Sequence, residues 1–392
     1  MRTLVFSTLY PNEIAPRHGI FVETRLRHLI ASGGIEAKVV APVPWFFSTN
    51  PRFGKYSEFA KVPKMENRHN INIHHPRYPL LPKIGMNLSP ISLAAAAMPL
   101  LHRMIRQGRD FDIIDAHYFY PDGVAAAFIA RQLGKPVVIT ARGTDINLIP
   151  QYNIPRKMIL WAANQAAGLI TVSAALKDEL AGLGVDPGKI TVLRNGVDTG
   201  FFQPTMRMAT REALGVSGPL LLSVGNLIPS KGHDLVIKAA SLLDGVHLVI
   251  IGEGPESASL QALASGLGLA GRTSFLGNLP QEELRRYYSA SDALILASSR
   301  EGWANVLLEA MACGTPAVAT RVGGTPEVVN CREAGELIVE RTPEAIAAGI
   351  ANLLANPPGR DKTRSHACKF GWDEVSLGQK KLFERILHRQ DT

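Results

Sequence analysis

The sequence predicts an α/β protein made of two Rossmann-like domains in series, on three observations. Short apolar runs alternate with helix-period segments along all 392 residues, and buried runs of that kind read as parallel strands with helices on both faces. The dozen or so strand candidates exceed what one ordinary doubly wound sheet holds. The pattern also restarts near Pro219, after a sharp turn at Asn195-Gly196 and an exit segment Phe201-Phe202-Gln203-Pro204.

In chain order, the first half offers strands at Thr3–Thr8, Lys38–Val43, Ile71–Pro76, Ile113–His117, Val137–Thr140, Leu169–Val172 and Ile190–Leu193. The second offers Leu220–Val224, His247–Ile251, Thr273–Leu276, Ala293–Leu296, Ala317–Ala319 and Leu337–Val339. Apolar residues recur at helical spacing over Phe21–Ser32, Ile159–Ala167, Leu235–Leu243, Glu282–Ser289, Val306–Cys313 and Trp372–Leu387. Two such domains make a cleft, and open α/β sheets bind ligands at the carboxyl ends of their strands. Pro42–Pro63 is irregular. Its Trp45, Phe46, Phe47, Phe53, Lys55 and Tyr56 suit a membrane interface or an acceptor-binding flap. A loop packed on its own aromatic cluster accounts for them as well, and is the preferred reading.

Composition bounds the function. With 46% hydrophobic and 19% charged residues the chain is an ordinary folded protein. Met1-Arg2 runs straight into a strand-like segment, with no signal-peptide pattern. The longest apolar stretch, Leu93 to Leu101, stops at His102-Arg103, short of the ~18–20 residues that cross a bilayer. The expectation is a cytoplasmic protein, soluble or attached to the inner face of the cell membrane. Cys313, Cys331 and Cys368 show neither metal-ligand nor redox spacing and read as small buried hydrophobes. The net charge of +8 is uneven: residues 1–205 hold 23 Lys/Arg against 14 Asp/Glu, residues 206–392 hold 19 against 20. A basic half suits an anionic membrane surface, a phosphorylated lipid or nucleic acid, and a plain soluble surface equally.

Chemistry concentrates in Ser298–Gly314, which follows a strand and opens a helix closed by Gly314 and Pro316. A helix start at the end of a parallel strand offers backbone N–H groups and a positive dipole end, a ready phosphate site. Glu301 lies in the turn before that helix and Glu309 about two turns further along. No His or Asp cluster accompanies them, so metal ligation is disfavoured, whereas paired acceptors suit a ribose diol or sugar hydroxyls. Solvated helix-surface acids are the plain alternative. A second strand, Leu221–Val224, runs into Gly225-Asn226-Leu227-Ile228-Pro229-Ser230-Lys231-Gly232. Lys231 can neutralise charge on a departing diphosphate; the glycine spacing of a Walker A loop is absent.

Together these segments resemble the retaining GT-B glycosyltransferases of family 4, bacterial polysaccharide-assembly members among them. The resemblance rests on the Gly225-to-Lys231 loop, the Glu301-x7-Glu309 spacing and Glu309-Ala310-Met311-Ala312-Cys313-Gly314-Thr315-Pro316. It runs nearly the whole chain through His18-Gly19-Ile20, Asp115-Ala116-His117, Tyr120-Pro121-Asp122-Gly123, Thr140–Asp145, Asn195–Asp198 and Gly323–Glu327. It implies two Rossmann-like domains facing across a cleft, residues 1–200 for the acceptor and 205–371 for the donor, with 372–392 packing back on the first. It also implies roles. Glu309 holds the ribose hydroxyls, Glu301 contacts the donor sugar, and Asn305 and Val306 bind the diphosphate through their amides with Lys231. Gly19 comes close to the phosphates, and Gly277-Asn278-Leu279 frames the base.

The chain departs from the family pattern twice. Asn226 stands where many relatives carry Arg, so Arg300 or Arg142 becomes the substitute cation. Arg142 stands where many carry a His that touches the sugar. His117 and Asp145 are the candidates on the acceptor side, and a satisfied structural histidine accounts for His117 at least as well. The implied reaction moves a sugar from a nucleoside-diphosphate sugar to a saccharide or polyprenyl-diphosphate-linked acceptor, with retention and with no cofactor or metal. A nucleotide-sugar epimerase, a glycosyl phosphorylase or a non-enzymatic binder of sugar nucleotides or nucleic acid are the rivals. No nucleic-acid-binding module is recognisable, so that partner is not expected. A dinucleotide dehydrogenase would need Gly-x-Gly-x-x-Gly, which Ser7–Gly19 lacks.

Overall fold

Runs such as Leu4-Val5-Phe6 and Leu220-Leu221-Leu222 are too apolar to expose either face, and they become central strands of two parallel sheets. The structure, a computed structural model, describes residues 1–80 and 85–389. The chain divides into two compact units, Met1–Asn195 with Trp372–Thr392, and Gly196–Gly371.

The first unit holds an eight-stranded sheet. In space its strands run Ile190–Val192, Gly168–Thr171, Val137–Ala141, Ile113–His117, Arg2–Phe6, Glu36–Val40, Ile71–His74 and Met65–Arg68. All pair in parallel except Met65–Arg68, which pairs antiparallel with Ile71–His74. That edge strand has no apolar run to announce it. It forms because His69 and Asn70 both take positive φ, 50° and 62°, closing a two-residue hairpin turn. The chain builds outward from Arg2–Phe6 on one side, then returns to place Ile113–His117 on the other. The strand order therefore reverses between these two strands, and ligands of open α/β sheets settle at such reversals.

The C-terminal helix Trp372–His388 belongs to this unit. Its Leu382, Phe383 and Ile386 are buried with Leu29, Ile113, Val138 and Ile170. Burying a side chain of that size contributes roughly 1.5–3 kcal/mol. Pro42–Pro63 is less irregular than expected: Val43–Pro44 pairs with Arg77–Tyr78, and a helix spans Lys55–Lys61. Phe46, Phe47, Phe53 and Tyr56 do cluster, with ring centroids 4.6 Å apart for the closest pair.

One expectation is corrected. The apolar stretch at Leu93–Leu101 lies inside a 22-residue helix, Gly85–Arg106, that is long and apolar enough to cross a membrane by length and composition. Pro90 and Pro99 punctuate the sequence, but the helix runs through both. Leu93, Ala97, Leu101 and Met104 recur every three or four residues and are buried, so one face packs within the unit. A second correction concerns the cysteines, of which only Cys313 is buried and Cys368 is exposed.

The second unit holds a six-stranded parallel sheet, in order Thr273–Phe275, His247–Ile251, Leu220–Val224, Ala293–Leu296, Ala317–Thr320 and Gly335–Ile338. Its order reverses between Leu220–Val224 and Ala293–Leu296. Helices His233–Ser241 and Pro343–Ala355 pack on one face through Val236, Ile237, Ile346 and Ile350.

Candidate active site

In the second unit the two strands at the reversal each end in a loop, and the two loops are bonded together. Lys231 Nζ donates to Glu301 Oε1 at 2.6 Å, Ser298 Oγ donates to the same oxygen at 2.7 Å, and Ser299 N donates to Ser230 O at 2.8 Å. Glu301 is buried and Lys231 half-buried. A buried carboxylate with a cation and a hydroxyl donor is a satisfied group, expensive to leave unpaired and therefore well positioned.

Glycines let the backbones approach. A Cβ on Gly323, at φ 48°, would lie 1.7 Å from Glu301 O, and one on Gly232 would lie 2.2 Å from Ala297 O. Thr320 Oγ1 also donates to Ser298 O at 2.6 Å, so the Glu301 loop is held from both flanking strands. On the other side Leu227 N donates to Glu253 O, and Gly252 N donates to Gly277 O, joining the loops of successive strands out to Gly277-Asn278-Leu279. Leu279 is half-buried at that end of the row.

Just past Glu301 the helix Asn305–Ala312 begins, with Asn305 and Val306 in its first turn and no acidic residue there. Its positive end therefore meets no competing carboxylate of its own. Glu309 lies on the same helix, where its Oε2 accepts from Tyr288 Oη at 2.8 Å. Burial pushes its pKa up to about 7, and the Tyr288 hydroxyl opposes the rise. Asn226 and Arg300 are exposed on the two loops.

The first unit repeats the logic at its own reversal. Ser7 and Thr8 leave the strand Arg2–Phe6 and bond to the neighbouring loop: Ser7 Oγ donates to His117 O at 3.0 Å, and Thr8 N to Asp122 Oδ2 at 2.8 Å. Burial raises Asp122 to about 7. Gly19 caps the helix Ile20–Ala31 at φ 69°, where a Cβ would lie 2.2 Å from Leu9 O. A backbone contact thus already demands glycine there.

His117 is buried with both ring nitrogens engaged. Arg142 Nη2 lies 2.6 Å from Nδ1, and Nε2 lies 3.2 Å from Asp115 Oδ2. Arginine has only donors, so Nδ1 accepts and the Nε2–H faces Asp115. Burial lowers the His117 pKa to about 4 despite Asp115, which keeps the ring neutral near pH 7. Arg142 also donates to Asn195 Oδ1 at 2.9 Å and stands over the Phe21 ring. Asp145 is fully buried and accepts from the amides of Phe119, Gly143 and Arg142, fixing the loop in which Arg142 sits.

A family model described as Glycosyl transferases group 1 matches residues 209–370, and one described as Glycosyltransferase Family 4 matches residues 22–201. The chain is 31% identical over 335 residues to the D-inositol 3-phosphate glycosyltransferase of Acidothermus cellulolyticus, spanning 77% of this chain and 74% of that one. It belongs to the group 1 glycosyltransferases of family 4.

This glycosyltransferase is also 33% identical to the protein of the same name from Mycolicibacterium gilvum, of which it spans 63%. It is 29% identical to TuaC of Bacillus subtilis, a glycosyltransferase assigned to teichuronic acid biosynthesis, over 89% of this chain and 88% of that one. Among solved structures, sucrose-phosphate synthase from Thermosynechococcus elongatus aligns over 99% of both chains at 19% identity and a TM-score of 0.79. Anabaena HepE in complex with UDP-glucose aligns over 100% and 99% at 18% identity and a TM-score of 0.68. The glycosyltransferase therefore has the GT-B fold.

Of the residues singled out in the sequence, the structure brings Lys231 directly onto Glu301 and starts the Asn305–Val306 helix turn a few residues later. It gives Glu309 a separate partner, Tyr288. In the first unit it joins Arg142 to His117 directly and to Asp145 through the loop. Sequence reasoning missed Tyr288, Thr320 and Arg341, whose Nε donates to Ala297 O at 2.8 Å, and it quoted Ser298 and Asp115 within motifs without giving either a role.

Proposed function

We propose that this glycosyltransferase moves a sugar from a nucleoside-diphosphate sugar to a saccharide or lipid-linked saccharide, with retention and without a metal ion. The observation that carries the reading is the Lys231–Glu301 pair at the strand-order reversal, directly before the start of helix Asn305–Ala312. The second unit binds the donor: Glu309 accepts the ribose hydroxyls, and the amides of Asn305 and Val306 receive the diphosphate. HepE, a structural relative, is solved with UDP-glucose, which supports a nucleotide-sugar donor here.

In the reaction, the bond from the anomeric carbon to the diphosphate oxygen breaks and the electron pair leaves with the diphosphate. Lys231 and the helix N-terminus stabilise that charge. Glu301 releases Lys231 toward the phosphates and faces the sugar. The acceptor hydroxyl oxygen bonds to the same face of the anomeric carbon, and its proton passes to the departing phosphate oxygen. The first unit presents the acceptor, with Arg142 as its fixed cation. The relationship to TuaC supports a role in polysaccharide assembly; a lipid-linked acceptor would set that role at the inner face of the membrane.

The test is a purified enzyme supplied with a panel of nucleotide sugars and saccharide acceptors, with and without EDTA, followed by NMR. The expected product keeps the anomeric configuration of the donor, and EDTA changes the rate little. An inverted product contradicts the mechanism.

A further inference from the structure

One stretch of the first unit's sequence has a composition that sugar transfer does not use. Residues 41–109 contain 10 Lys/Arg and 2 Asp/Glu, a balance of +8, and the rest of the chain holds 32 of each. The whole net charge of the protein therefore sits in this one stretch.

The fold gathers the stretch around a two-residue ribbon. Val43–Pro44 pairs with Arg77–Tyr78, and Trp45 N donates to Tyr78 O at 2.7 Å. The Arg77 guanidinium donates to the carbonyls of Phe59, at 2.6 Å, and Val62, so the aromatic segment is tied to the same ribbon. The apolar helix Gly85–Arg106 packs against Arg77–Tyr78 as well. Arg77 lies between two depressions along that helix. One, of about 340 Å³, is lined by Leu88, Ile91, Ala95 and Ala96; the other, of about 540 Å³, by Lys64, His74, Arg103 and Arg109.

What faces solvent there is an apolar set with a cationic border. Trp45 is 58% exposed, Phe47 67% and Ile91 49%, and Leu80 and Leu88 are exposed as well. Only a third of the helix's most apolar window is buried. Lys55, Lys61, Lys64, Arg103 and Arg106 are exposed and make no ion pair among the described residues. Exposed aromatics and aliphatics on elements joined through one ribbon, with exposed Lys and Arg on the same elements, are what an interfacial membrane segment presents. A nucleic acid or soluble polyanion would engage the cations and leave Leu88 and Ile91 without a partner.

We propose that this face docks on an anionic lipid bilayer. Trp45, Phe47, Leu88 and Ile91 enter the headgroup layer, and the surrounding Lys and Arg side chains pair with lipid phosphates. The proposal deepens the lipid-linked acceptor reading and rests on it for its purpose, since docking would bring the enzyme to an acceptor confined to the membrane.

The experiment is sedimentation of the full-length protein with vesicles of phosphatidylcholine, alone or mixed with phosphatidylglycerol. Wild type is expected to bind the anionic vesicles only, less so as salt rises. Leu88→Glu combined with Ile91→Glu, and Arg103→Glu combined with Arg106→Glu, should each weaken binding by about tenfold or more. Both double variants should keep the melting temperature and the activity on water-soluble acceptors. Equal binding to neutral and anionic vesicles overturns the proposal. So does undiminished vesicle binding by the Leu88→Glu, Ile91→Glu variant, which would leave only nonspecific charge attraction. If anionic vesicles bind as expected while lipid-linked acceptors are not used, the acceptor reading fails and the docking surface stands.

Discussion

Lys231 and Glu301 lie 70 positions apart in sequence and 2.6 Å apart in space. Each was legible only in context, Glu301 by its place before a helix start that follows a strand and Lys231 by its partnership with that helix start as a second cationic element for a diphosphate. Their pairing was not, since it arises only when the sheet sets their two strands side by side. The pair also sharpens a ranking. Lys231→Ala removes the positioned cation and leaves Glu301 buried without it, so kcat should fall by about 10²–10³-fold; Asn226→Ala, at an exposed side chain, should cost far less. Equal and mild effects on steady-state turnover would refute that ranking. Tyr288 was invisible in the sequence for the same reason, and it yields a pH prediction. With the Glu309 pKa near 7, donor affinity should weaken as pH falls through about 7 and the carboxylate is protonated. The Tyr288 hydroxyl stabilises the ionised form, so Tyr288→Phe should move the midpoint upward; calorimetric titration of nucleotide across pH checks it, and a downward shift refutes the assignment.

Loops and short elements show where pattern reading stops. Strand positions were legible because fully buried strands are continuous apolar runs, and all those expected are present. Met65–Arg68 was not, because pairing rather than composition creates it. The helix Gly85–Arg106 was read only as the apolar stretch Leu93–Leu101 ending at His102-Arg103, whereas the buried face continues at helical spacing to Met104. Glycines carried more information than their number suggested. Gly323 has φ 48° and no room for a methyl group beside Glu301 O. Gly323→Ala should therefore cost about 1–3 kcal/mol of strain and displace the Glu301 loop. Turnover should drop sharply while circular dichroism of the folded protein stays close to wild type. A fully active Gly323→Ala enzyme would show that the loop position does not matter.

On the scale of the molecule, each unit is a doubly wound sheet with its candidate residues at the point where strand order reverses. Two domains were legible from the restart of the pattern. The observed division falls at Asn195/Gly196, close to the Asn195-Gly196 turn, and the last helix joins the first unit. That helix should be essential to the first unit: Phe383→Ala, at a fully buried position, should lower its stability by about 3–5 kcal/mol. Hydrogen exchange in Ile113–His117 and Val137–Ala141 would report the loss, and unchanged protection there would contradict it. The central claim, that the second unit holds a nucleotide-sugar donor for retaining transfer, is tested most directly by NMR of the reaction mixture. Wild type should consume one nucleotide sugar of a panel and form a glycoside of the donor's own anomeric configuration, and Lys231→Ala should lose that activity while still folded. Formation of the opposite anomer, or Lys231→Ala turning over as fast as wild type, would contradict the account.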